Sequence, residues 1–384
     1  MKGKRLLQTV VRRRHWLFAR LDPRKLVNLA LAGGAFLLRR ETTPALPAMV
    51  KIDISPLCNL RCTACVHADA NGEPTLEAQQ FGARDRMSLE QYRRIIDRIR
   101  GRTIAVSLYY LGDPLVHPDL DAMCRIAADA GLQVHVSTNL SFGLSDARIR
   151  SLVTSGLSHL TVCLDGLVQE QYERTRVGGN IARVLENLRR ICETRRALDT
   201  RQPRIEAQYI LYQHNEHDEP AARALCAELG VDEFASFWGA LDNWAGRSPE
   251  RYRVLGPRRA AGMPLCSWPH FSTVVKFNGD VIPCCNFRQG EQYARGVDSK
   301  AFGNVFEQGL DAIWNGPAYR RARQLTADPA RAERDPTLRE HFCHACPELY
   351  ETTFQETTLW GNQVRFEDVY EIDERGRPVR RRAS

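Results

Sequence analysis

Apolar residues along this chain follow two spacings, and the two spacings alternate between residues 51 and 238. Short segments rich in Ile, Val and Leu, with the alternation or continuous apolar character typical of strands, occur six times. Between them, apolar residues recur three or four positions apart, as on one face of a helix. The pattern predicts six strands, at residues 51–54, 104–111, 133–138, 159–165, 205–212 and 233–238.

Polar residues and glycines mark the ends of the predicted helices. Ser88 and Gln91 form a capping box, and Ser145 is a second candidate N-cap. Strands that alternate with helices form parallel units joined by right-handed crossovers, so we predict an α/β fold. The helical segments lie at residues 88–101, 118–131, 145–156, 169–198 with a break at 178–179, and 218–229.

From about residue 239 the alternation of strands and helices stops. Residues 274–282 are rich in β-formers around an Asn278-Gly279 pair, which is typical of a hairpin turn. Residues 304–323 then have helical spacing. We therefore predict a second, smaller α+β domain after the main one.

Charge is distributed unevenly over the 384 residues. The formal charge is +8, but the excess of Lys and Arg lies in the first 40 residues and in the last ten, so the body between them is mildly acidic. Nucleic-acid binding proteins usually carry a basic patch on the body of the domain. We therefore expect no nucleic-acid partner.

The twelve cysteines are grouped rather than spread. A secreted disulfide framework would space them more evenly over a smaller chain, so we expect free thiols in a reducing compartment. Four are single and lie in predicted helices or a strand, where a buried structural thiol is the usual role. Three lie near residue 60, and five lie in the C-terminal part at Cys266, Cys284, Cys285, Cys343 and Cys346.

Cys58, Cys62 and Cys65 follow the first strand with the spacing C-x3-C-x2-C. Three thiolates on one tight loop can hold three corners of a [4Fe–4S] cluster and leave the fourth iron open to a substrate or a cofactor. A zinc knuckle or a redox-sensing cysteine patch is the alternative, because a C-x2-C pair alone is common.

The segment from Lys51 to Cys65, KIDISPLCNLRCTAC, resembles the signature of the radical S-adenosylmethionine (SAM) superfamily. The resemblance covers roughly residues 50–350. It implies a partial (β/α)6 barrel in which the open iron of a [4Fe–4S] cluster binds SAM. In that family SAM is cleaved reductively to a 5′-deoxyadenosyl radical. Active sites of such barrels lie at the carboxyl ends of the strands, where the motifs below also fall.

Short segments at the ends of predicted strands two to four resemble the family motifs known as GGEP, STNG and SLDG. In the family these motifs bind SAM, and a later arginine faces its carboxylate, a task that suits a guanidinium. The candidate for that arginine is Arg176, and Arg174 is the alternative. His67, Tyr109 and Tyr110 are further candidates near the cofactor. The resemblance implies SAM contacts from Gly112, Asp113, Pro114, Ser137, Asn139, Cys163, Asp165 and Arg176.

The match departs from the family pattern at four positions. Leu111 replaces the first glycine of the GGEP-type motif, and Asp113 replaces its glutamate with a side chain one methylene shorter. Leu140 replaces the glycine of the STNG-type motif. Cys163 replaces a serine, which removes a good hydrogen-bond donor and acceptor.

The C-terminal cysteines resemble the SPASM/twitch extension of radical SAM enzymes, which binds auxiliary iron–sulfur clusters. Gly279 and Cys284 have its G-x4-C spacing, and only one later C-x2-C pair is present. A zinc site with the same thiolates is the alternative, and Cys285 is the alternative to Cys284. The resemblance implies one auxiliary [4Fe–4S] cluster held by Cys266, Cys284, Cys343 and Cys346.

These observations divide the chain into four parts. We predict a basic helical extension at residues 1–48, a radical SAM partial barrel at 49–240, an auxiliary cluster domain at 241–350 and a C-terminal extension with a basic tail at 351–384. Substrate contacts are expected from the end of strand six onward, at Asn243, Trp244 and Arg247. No residue is assigned as the catalytic acid or base.

The resemblance implies an enzyme that abstracts hydrogen from a small molecule, such as a sugar or cyclitol, in a two-electron oxidation. The auxiliary cluster would accept the electron from the product radical. Alternatives are a peptide, protein or lipid substrate, and more remotely a non-catalytic iron–sulfur or zinc scaffold. The chemistry needs a low-potential electron donor such as flavodoxin or ferredoxin.

The N-terminal apolar run at residues 26–38 is shorter than the about 20 residues that span a bilayer. It follows a basic region, as a signal-peptide core does, but oxygen-sensitive clusters argue against export. We expect a cytoplasmic protein whose N-terminal helix packs on the barrel. Peripheral contact of this basic segment with an anionic membrane surface is the alternative.

Overall fold

A computed structural model of the chain provides the coordinates. Side chains of residues 238, 252–255 and 351 onward are not described. The structure describes residues 18–62, 65, 67, 81–212, 214–238, 252–260, 262–285, 301–344, 346, 348–354, 356–359, 362–365, 370–372 and 378–380.

Helices and strands alternate in the first two-thirds of the described chain. Short 3-10 helices lie at Pro114–Val116, Glu216–Asp218 and Pro329–Glu333. The strands are β1 Met49–Ile52, β2 Ala105–Ser107, β3 Gln133–Thr138, β4 His159–Cys163, β5 Arg204–Leu211, β6 Glu233–Trp238, β7 Tyr252–Pro257, β8 Ser272–Val275, β9 Asp280–Ile282, β10 Gly303–Asn304, β11 Tyr350–Phe354, β12 Glu356–Leu359, β13 Asn362–Arg365, β14 Tyr370–Ile372 and β15 Pro378–Arg380. The helices are α1 Pro23–Leu37, α2 Leu89–Ile99, α3 Leu120–Asp129, α4 Asp146–Val153, α5 Gln169–Glu173, α6 Ile181–Ala197, α7 Glu219–Leu229, α8 Trp268–Phe271, α9 Leu310–Trp314, α10 Pro317–Ala327 and α11 Pro336–Arg339.

The main sheet has nine strands in the order β10-β9-β8-β1-β2-β3-β4-β5-β6. Strands β1 to β6 are all parallel, in sequence order, and helices connect them. This confirms the α/β fold and the six strands of the partial barrel. The predicted C-terminal hairpin is also present, and its first strand pairs in parallel with β1, so the hairpin continues the same sheet.

Local sequence signals explain most helix ends. Ser88 and Gln91 form the predicted capping box at the start of α2, and the Ser145 hydroxyl accepts from the amide of Arg148 at the start of α4. Gly230 ends α7 with a left-handed backbone that favours glycine. The predicted long helix divides into α5 and α6, and Asn180 caps the second.

The second predicted strand is too long. It was expected over residues 104–111, but β2 ends at Ser107. Beyond Ser107 the chain leaves the sheet. The amide of Leu111 lies 3.4 Å from Asp53 Oδ1, and the amide of Asp113 donates to the carbonyl of Leu57 at 2.9 Å. These contacts bring the end of this segment against the loop that follows β1.

The two faces of the sheet differ in chemistry. On one face Val50, Val106 and Val134 share a register position and lie in the main core with helix residues such as Ile96 and Met123. The opposite face carries polar side chains, described below. The helices therefore pack on the apolar face, and the polar face lines the inside of the partial barrel.

Helix α1 packs on the amino end of the barrel. Lys25 is 2% exposed and its ammonium group donates to the carbonyl of Gly131 at 2.5 Å, while the Asn28 side chain bonds the backbone of Leu46 and Arg102. The N-terminal helix thus has the predicted packing role. No helix among the described residues combines the length and the apolar character needed to cross a bilayer.

Candidate active site

The loop after β1 carries Cys58, Cys62 and Cys65 at the carboxyl edge of the sheet. The Cys58 sulfur accepts from the amide of Leu60 at 3.4 Å, and the amide of Cys65 donates to the carbonyl of Cys62 at 3.0 Å. Burial is the main cause that raises the pKa of both Cys58 and Cys62. Without a bound cation these two thiols resist ionisation. The positive charge of a metal centre would offset the free-energy cost of ionising them in a buried site.

Gly112 is required by the close approach of the next loop. A Cβ atom at this position would lie 2.2 Å from the carbonyl oxygen of Leu57 and 2.3 Å from that of Ser55. Only glycine therefore allows the segment after β2 to touch the segment that enters the cysteine loop. The second glycine of the GGEP-type motif is kept for this reason, whereas Leu111 at the first position packs in a small apolar cluster.

Asp113 joins the ends of β2 and β3. Its carboxylate, 5% exposed, accepts from the Thr138 hydroxyl at 2.9 Å, from the Asn139 amide at 2.7 Å and from the Leu115 amide at 3.0 Å. Burial raises the pKa of Asp113 to about 6, and the hydrogen bonds limit the rise. Pro114 follows as the first residue of the 3-10 helix that Asp113 caps.

Asn139 joins this acid to the cysteine loop. Its side-chain amide donates to Asn59 Oδ1 at 2.9 Å and lies 3.8 Å from the Cys58 sulfur. Asn59 in turn donates to the carbonyl of Ser141 at 2.9 Å. The loops after β1, β2 and β3 are therefore one hydrogen-bonded unit.

Asp165 and Arg176 approach the cysteine loop from β4 and the segment after α5. Arg176 donates through Nε and Nη2 to Asp165 Oδ2 at 2.6 Å, and its Nη1 lies 3.9 Å from the Cys62 sulfur. Asp165 is 1% exposed, so this is a buried ion pair. The alternative Arg174 is about half exposed and pairs with Glu170, away from this contact.

Ser137 and Cys163 occupy neighbouring strand ends, as predicted. Their side-chain oxygen and sulfur lie 3.9 Å apart, and both residues are half-buried. Among the other candidates, His67 Nε2 lies 3.2 Å from the carbonyl of Leu111, and the Tyr109 ring faces the inside of the barrel. Tyr110 packs instead in the small apolar cluster with Leu111.

Three residues of this unit were missed by the sequence reasoning. Thr138 and Asn59 lie inside the motifs quoted above, so their position within those motifs could have identified them. Asn215 donates to the carbonyls of Asp165 and Ile210 at 2.9 Å and is fully buried, but nothing in the local sequence marks it.

The C-terminal cysteines line one cavity of about 250 Å³, together with Trp268, Phe342 and Pro283. All twelve cysteines lie within the described residues and none forms a disulfide. Burial raises the pKa of Cys284 and of Cys343, and the neighbouring thiols add to the rise. Among the described residues, no group of three or more His, Cys, Asp or Glu side chains has an arrangement that could hold a metal ion. The thiols that line the cavity are those of Cys266, Cys284, Cys285, Cys343 and Cys346.

The two groups of cysteines are near neighbours. Cys65 from the first group and Cys285 from the second both pack against the apolar cluster of Tyr110, Leu111, Val274 and Ile282. This apolar cluster therefore contacts a cysteine of each group. The predicted substrate residues Asn243, Trp244 and Arg247 lie outside the described residues.

Comparison with known proteins places this geometry in a family. The model of the Radical SAM superfamily matches residues 52–198, and the SPASM model, an iron-sulfur cluster-binding domain, matches residues 266–347. The crystal structure of Streptococcus suis SuiB bound to precursor peptide SuiA superposes with a TM-score of 0.53 at 17% identity, covering 72% of this chain and 67% of that one.

Two curated relatives add to the match. One is the tungsten-containing aldehyde ferredoxin oxidoreductase cofactor-modifying protein of Pyrococcus furiosus, 23% identical over 81% of this chain and 91% of its own length. The other is the dTDP-4-amino-4,6-dideoxy-D-glucose ammonia-lyase of Streptomyces venezuelae, 33% identical over 42% of this chain and 32% of its own length. The chain belongs to the radical SAM superfamily and carries a C-terminal SPASM domain, so its cofactors are SAM, a [4Fe–4S] cluster and auxiliary iron–sulfur chemistry.

Proposed function

We propose that this radical SAM enzyme cleaves SAM reductively and oxidises a small-molecule substrate by two electrons. The observation that carries the proposal is the connected unit of Cys58, Asn139 and Asp113, with Arg176 against Cys62. A scaffold without catalysis has no need for an acid, an amide and a guanidinium that are linked to the cysteine loop in this way.

Cys58, Cys62 and Cys65 fit the first cluster, because three thiolates on one loop leave the fourth iron open. When bound, SAM and its cluster supply a 5′-deoxyadenosyl radical that takes a hydrogen atom from the substrate, and the auxiliary cluster supplies an acceptor for one electron. The proton that balances the oxidation of an alcohol to a ketone leaves to a base. A low-potential donor of the flavodoxin or ferredoxin class provides the electron for SAM cleavage.

The polar residues at the strand ends have distinct parts in binding SAM. Asp113 would bind the SAM amino group, and Asp165 orients Arg176. Because Nε and Nη2 of Arg176 bond Asp165, only Nη1, which lies 3.9 Å from the Cys62 sulfur, would remain for the SAM carboxylate. The SAM pocket would be completed by backbone and side-chain contacts from Gly112, Pro114, Ser137, Asn139 and Cys163.

Cys266, Cys284, Cys343 and Cys346 are assigned as ligands of the auxiliary cluster. Four thiolates leave no open iron, which favours electron transfer over substrate binding. Cys285, which faces the apolar cluster shared with Cys65, is the alternative ligand to Cys284. The apolar cluster that contacts both Cys65 and Cys285 supports an electron path from the barrel to this site.

A small metabolite is the substrate class that we favour. In support, one relative is named for modifying a cofactor and another for acting on a nucleotide-linked sugar. The likeness to the peptide-bound SuiB concerns the fold alone, at 17% identity. A peptide substrate is therefore the second candidate, and the segment with Asn243, Trp244 and Arg247 stays our choice for substrate contacts.

Helix α1 carries the proposed peripheral contact with a membrane. Leu26, Val27, Leu31, Leu37 and Leu38 are between 42% and 67% exposed, close to the basic residues at both ends of the helix. An exposed apolar face beside basic residues favours anionic bilayers. Co-sedimentation with phosphatidylserine vesicles should fall in a Leu37→Ser, Leu38→Ser variant, and equal recovery of both proteins would reject the contact.

The enzyme proposal is tested anaerobically, with reconstituted protein, SAM and dithionite. We expect 5′-deoxyadenosine and about eight irons in the wild type, and no product with about four irons in a Cys58→Ala, Cys62→Ala, Cys65→Ala variant. Cys192→Ala, a change of a buried helical thiol, is the matched control and should keep both. Bound zinc without SAM cleavage in the wild type would leave a metal-stabilised binding protein.

A further inference from the structure

The inner face of the partial barrel carries a row of polar side chains. Lys51, Ser107, His135 and His159 occupy one register position across β1 to β4. Side chains in register on neighbouring strands point to the same face of a sheet. A barrel interior is usually filled by branched apolar residues, so this polar row needs an explanation.

Most of the row is closed and hydrogen-bonded. His135 lies 3.4 Å from the Ser107 hydroxyl and donates or accepts at 2.9 Å with the Thr161 hydroxyl. His159 pairs with Glu206 at 3.3 Å, and both are fully buried. These residues form a buried polar floor inside the barrel.

Lys51 is different, because it is half-buried and lies over an aromatic ring. Its ammonium nitrogen is 4.3 Å from the centroid of Tyr109, whose ring meets that of His135 edge-on at 5.1 Å. Within the described part of the chain Lys51 forms no ion pair. The nearest acid in the sequence, Asp53, has its Oδ1 towards the amide of Leu111.

The position of this cation relates it to the cofactor residues. Ser137 and Cys163 lie two residues beyond His135 and Thr161 on the same strands and the same face. Two residues of a strand span about 7 Å. Lys51 thus belongs to the row of interior side chains next to that of Ser137, on the amino-terminal side.

We propose that Lys51 binds an anionic group of the substrate, a phosphate or a carboxylate, inside the barrel. This inference rests on the proposed function and narrows its substrate class to anionic small molecules. Tyr109 holds the ammonium group by a cation–π contact. An anion there gives a half-buried cation its missing counter-charge.

The test measures binding rather than turnover. Anaerobic calorimetry of the cluster-loaded, SAM-bound enzyme is run with glucose 6-phosphate, glucuronate and glucose, which separate a phosphate from a carboxylate and from no charge. We expect the anionic probes to bind and glucose not to. Lys51→Met should weaken anion binding about ten- to a hundredfold, the range of one charge-assisted hydrogen bond.

Two further variants keep the test decisive. Lys51→Arg retains a cation and should recover most of the affinity, even if Lys51→Met is less stable. Arg100→Met removes an exposed charge at a remote site and should leave binding unchanged. The inference is overturned if wild type and Lys51→Met bind the anions with equal affinity, or if the wild type binds neither anion. The enzyme proposal is rejected only if the wild type fails to cleave SAM.

Discussion

The Asp113 carboxylate accepts the backbone amide of Asn139 at 2.7 Å, so that the ends of two neighbouring strands are tied by one buried acid. The Asn139 side chain then reaches Asn59 and the Cys58 sulfur. A single carboxylate thus positions the cysteine loop, and under the proposed function it would also bind the SAM amino group. Changes at this residue should separate these two roles.

The first prediction concerns pH. Burial raises the pKa of Asp113 to about 6, above its ordinary value of 3.8. In the cofactor-free protein, stability from the protonated carboxyl is complete below about pH 4 and is lost as the pH rises through about 6. SAM binding should change in the opposite direction and weaken below about pH 6, because its ammonium group needs the ionised acid.

Calorimetric titrations with SAM from pH 5.5 to 8 and urea unfolding from pH 4 to 7 check both signs. Asp113→Asn cannot ionise, so both pH dependences should flatten in that variant. A wild type and an Asp113→Asn variant with parallel pH profiles would show that Asp113 is not the group that titrates.

The second prediction concerns the buried pair of Asp165 and Arg176. Arg176→Gln leaves a 1% exposed carboxylate without its cation, so the free energy of unfolding should fall by about 3–5 kcal/mol. Arg174→Gln removes the same charge from an exposed pair with Glu170 and should cost less than about 1 kcal/mol. Urea unfolding of the two variants makes the comparison, and equal losses would contradict it.

The third prediction concerns Gly112. In Gly112→Ala the new methyl group meets the carbonyl oxygens of Leu57 and Ser55, so the backbone of the cysteine loop must shift. We expect a loss of about 1–3 kcal/mol and of the irons of the first cluster. Gly143→Ala adds the same methyl group in open space and should change neither. Iron analysis and thermal unfolding decide, and full iron content in Gly112→Ala would be incompatible with this geometry.

The fourth prediction separates the adjacent thiols of Cys284 and Cys285. If Cys284 is the auxiliary ligand, Cys284→Ser should lower the iron content from about eight to about four per chain, while Cys285→Ser keeps it. Electron paramagnetic resonance of the dithionite-reduced proteins checks which cluster is lost. The reverse result would assign Cys285, whose side chain packs towards Cys65.

The sequence was sufficient where the signal is local. Strand β3 begins and ends where the spacing predicts, and Ser88 caps α2 as its motif requires. The acid after β2 and the amide after β3 were singled out by their resemblance to family motifs. The structure brings the two residues together, because parallel strands place their carboxyl ends at one edge.

Contacts that depend on loop conformation and side-chain rotamers could not be predicted from the sequence. The reach of Asn139 to Asn59 depends on how far the loop after β1 folds back, and the early end of β2 depends on the contact of Gly112 with Leu57. The contact between Lys51 and Tyr109 depends on a ring that turns into the barrel from beyond the strand end. Neither spacing nor composition records these choices.

The pairing of β8 with β1 has a consequence for how the molecule folds. Strand β1 would otherwise be the edge of the barrel sheet, with unpaired amides and carbonyls just before the cysteine loop. Strand β8 covers that edge over four residues, and the amide of Asp53 extends the pairing to the carbonyl of Val275 at 2.8 Å. Loss of the C-terminal segment would uncover an aggregation-prone edge, so the SPASM region protects the barrel sheet from edge-to-edge association.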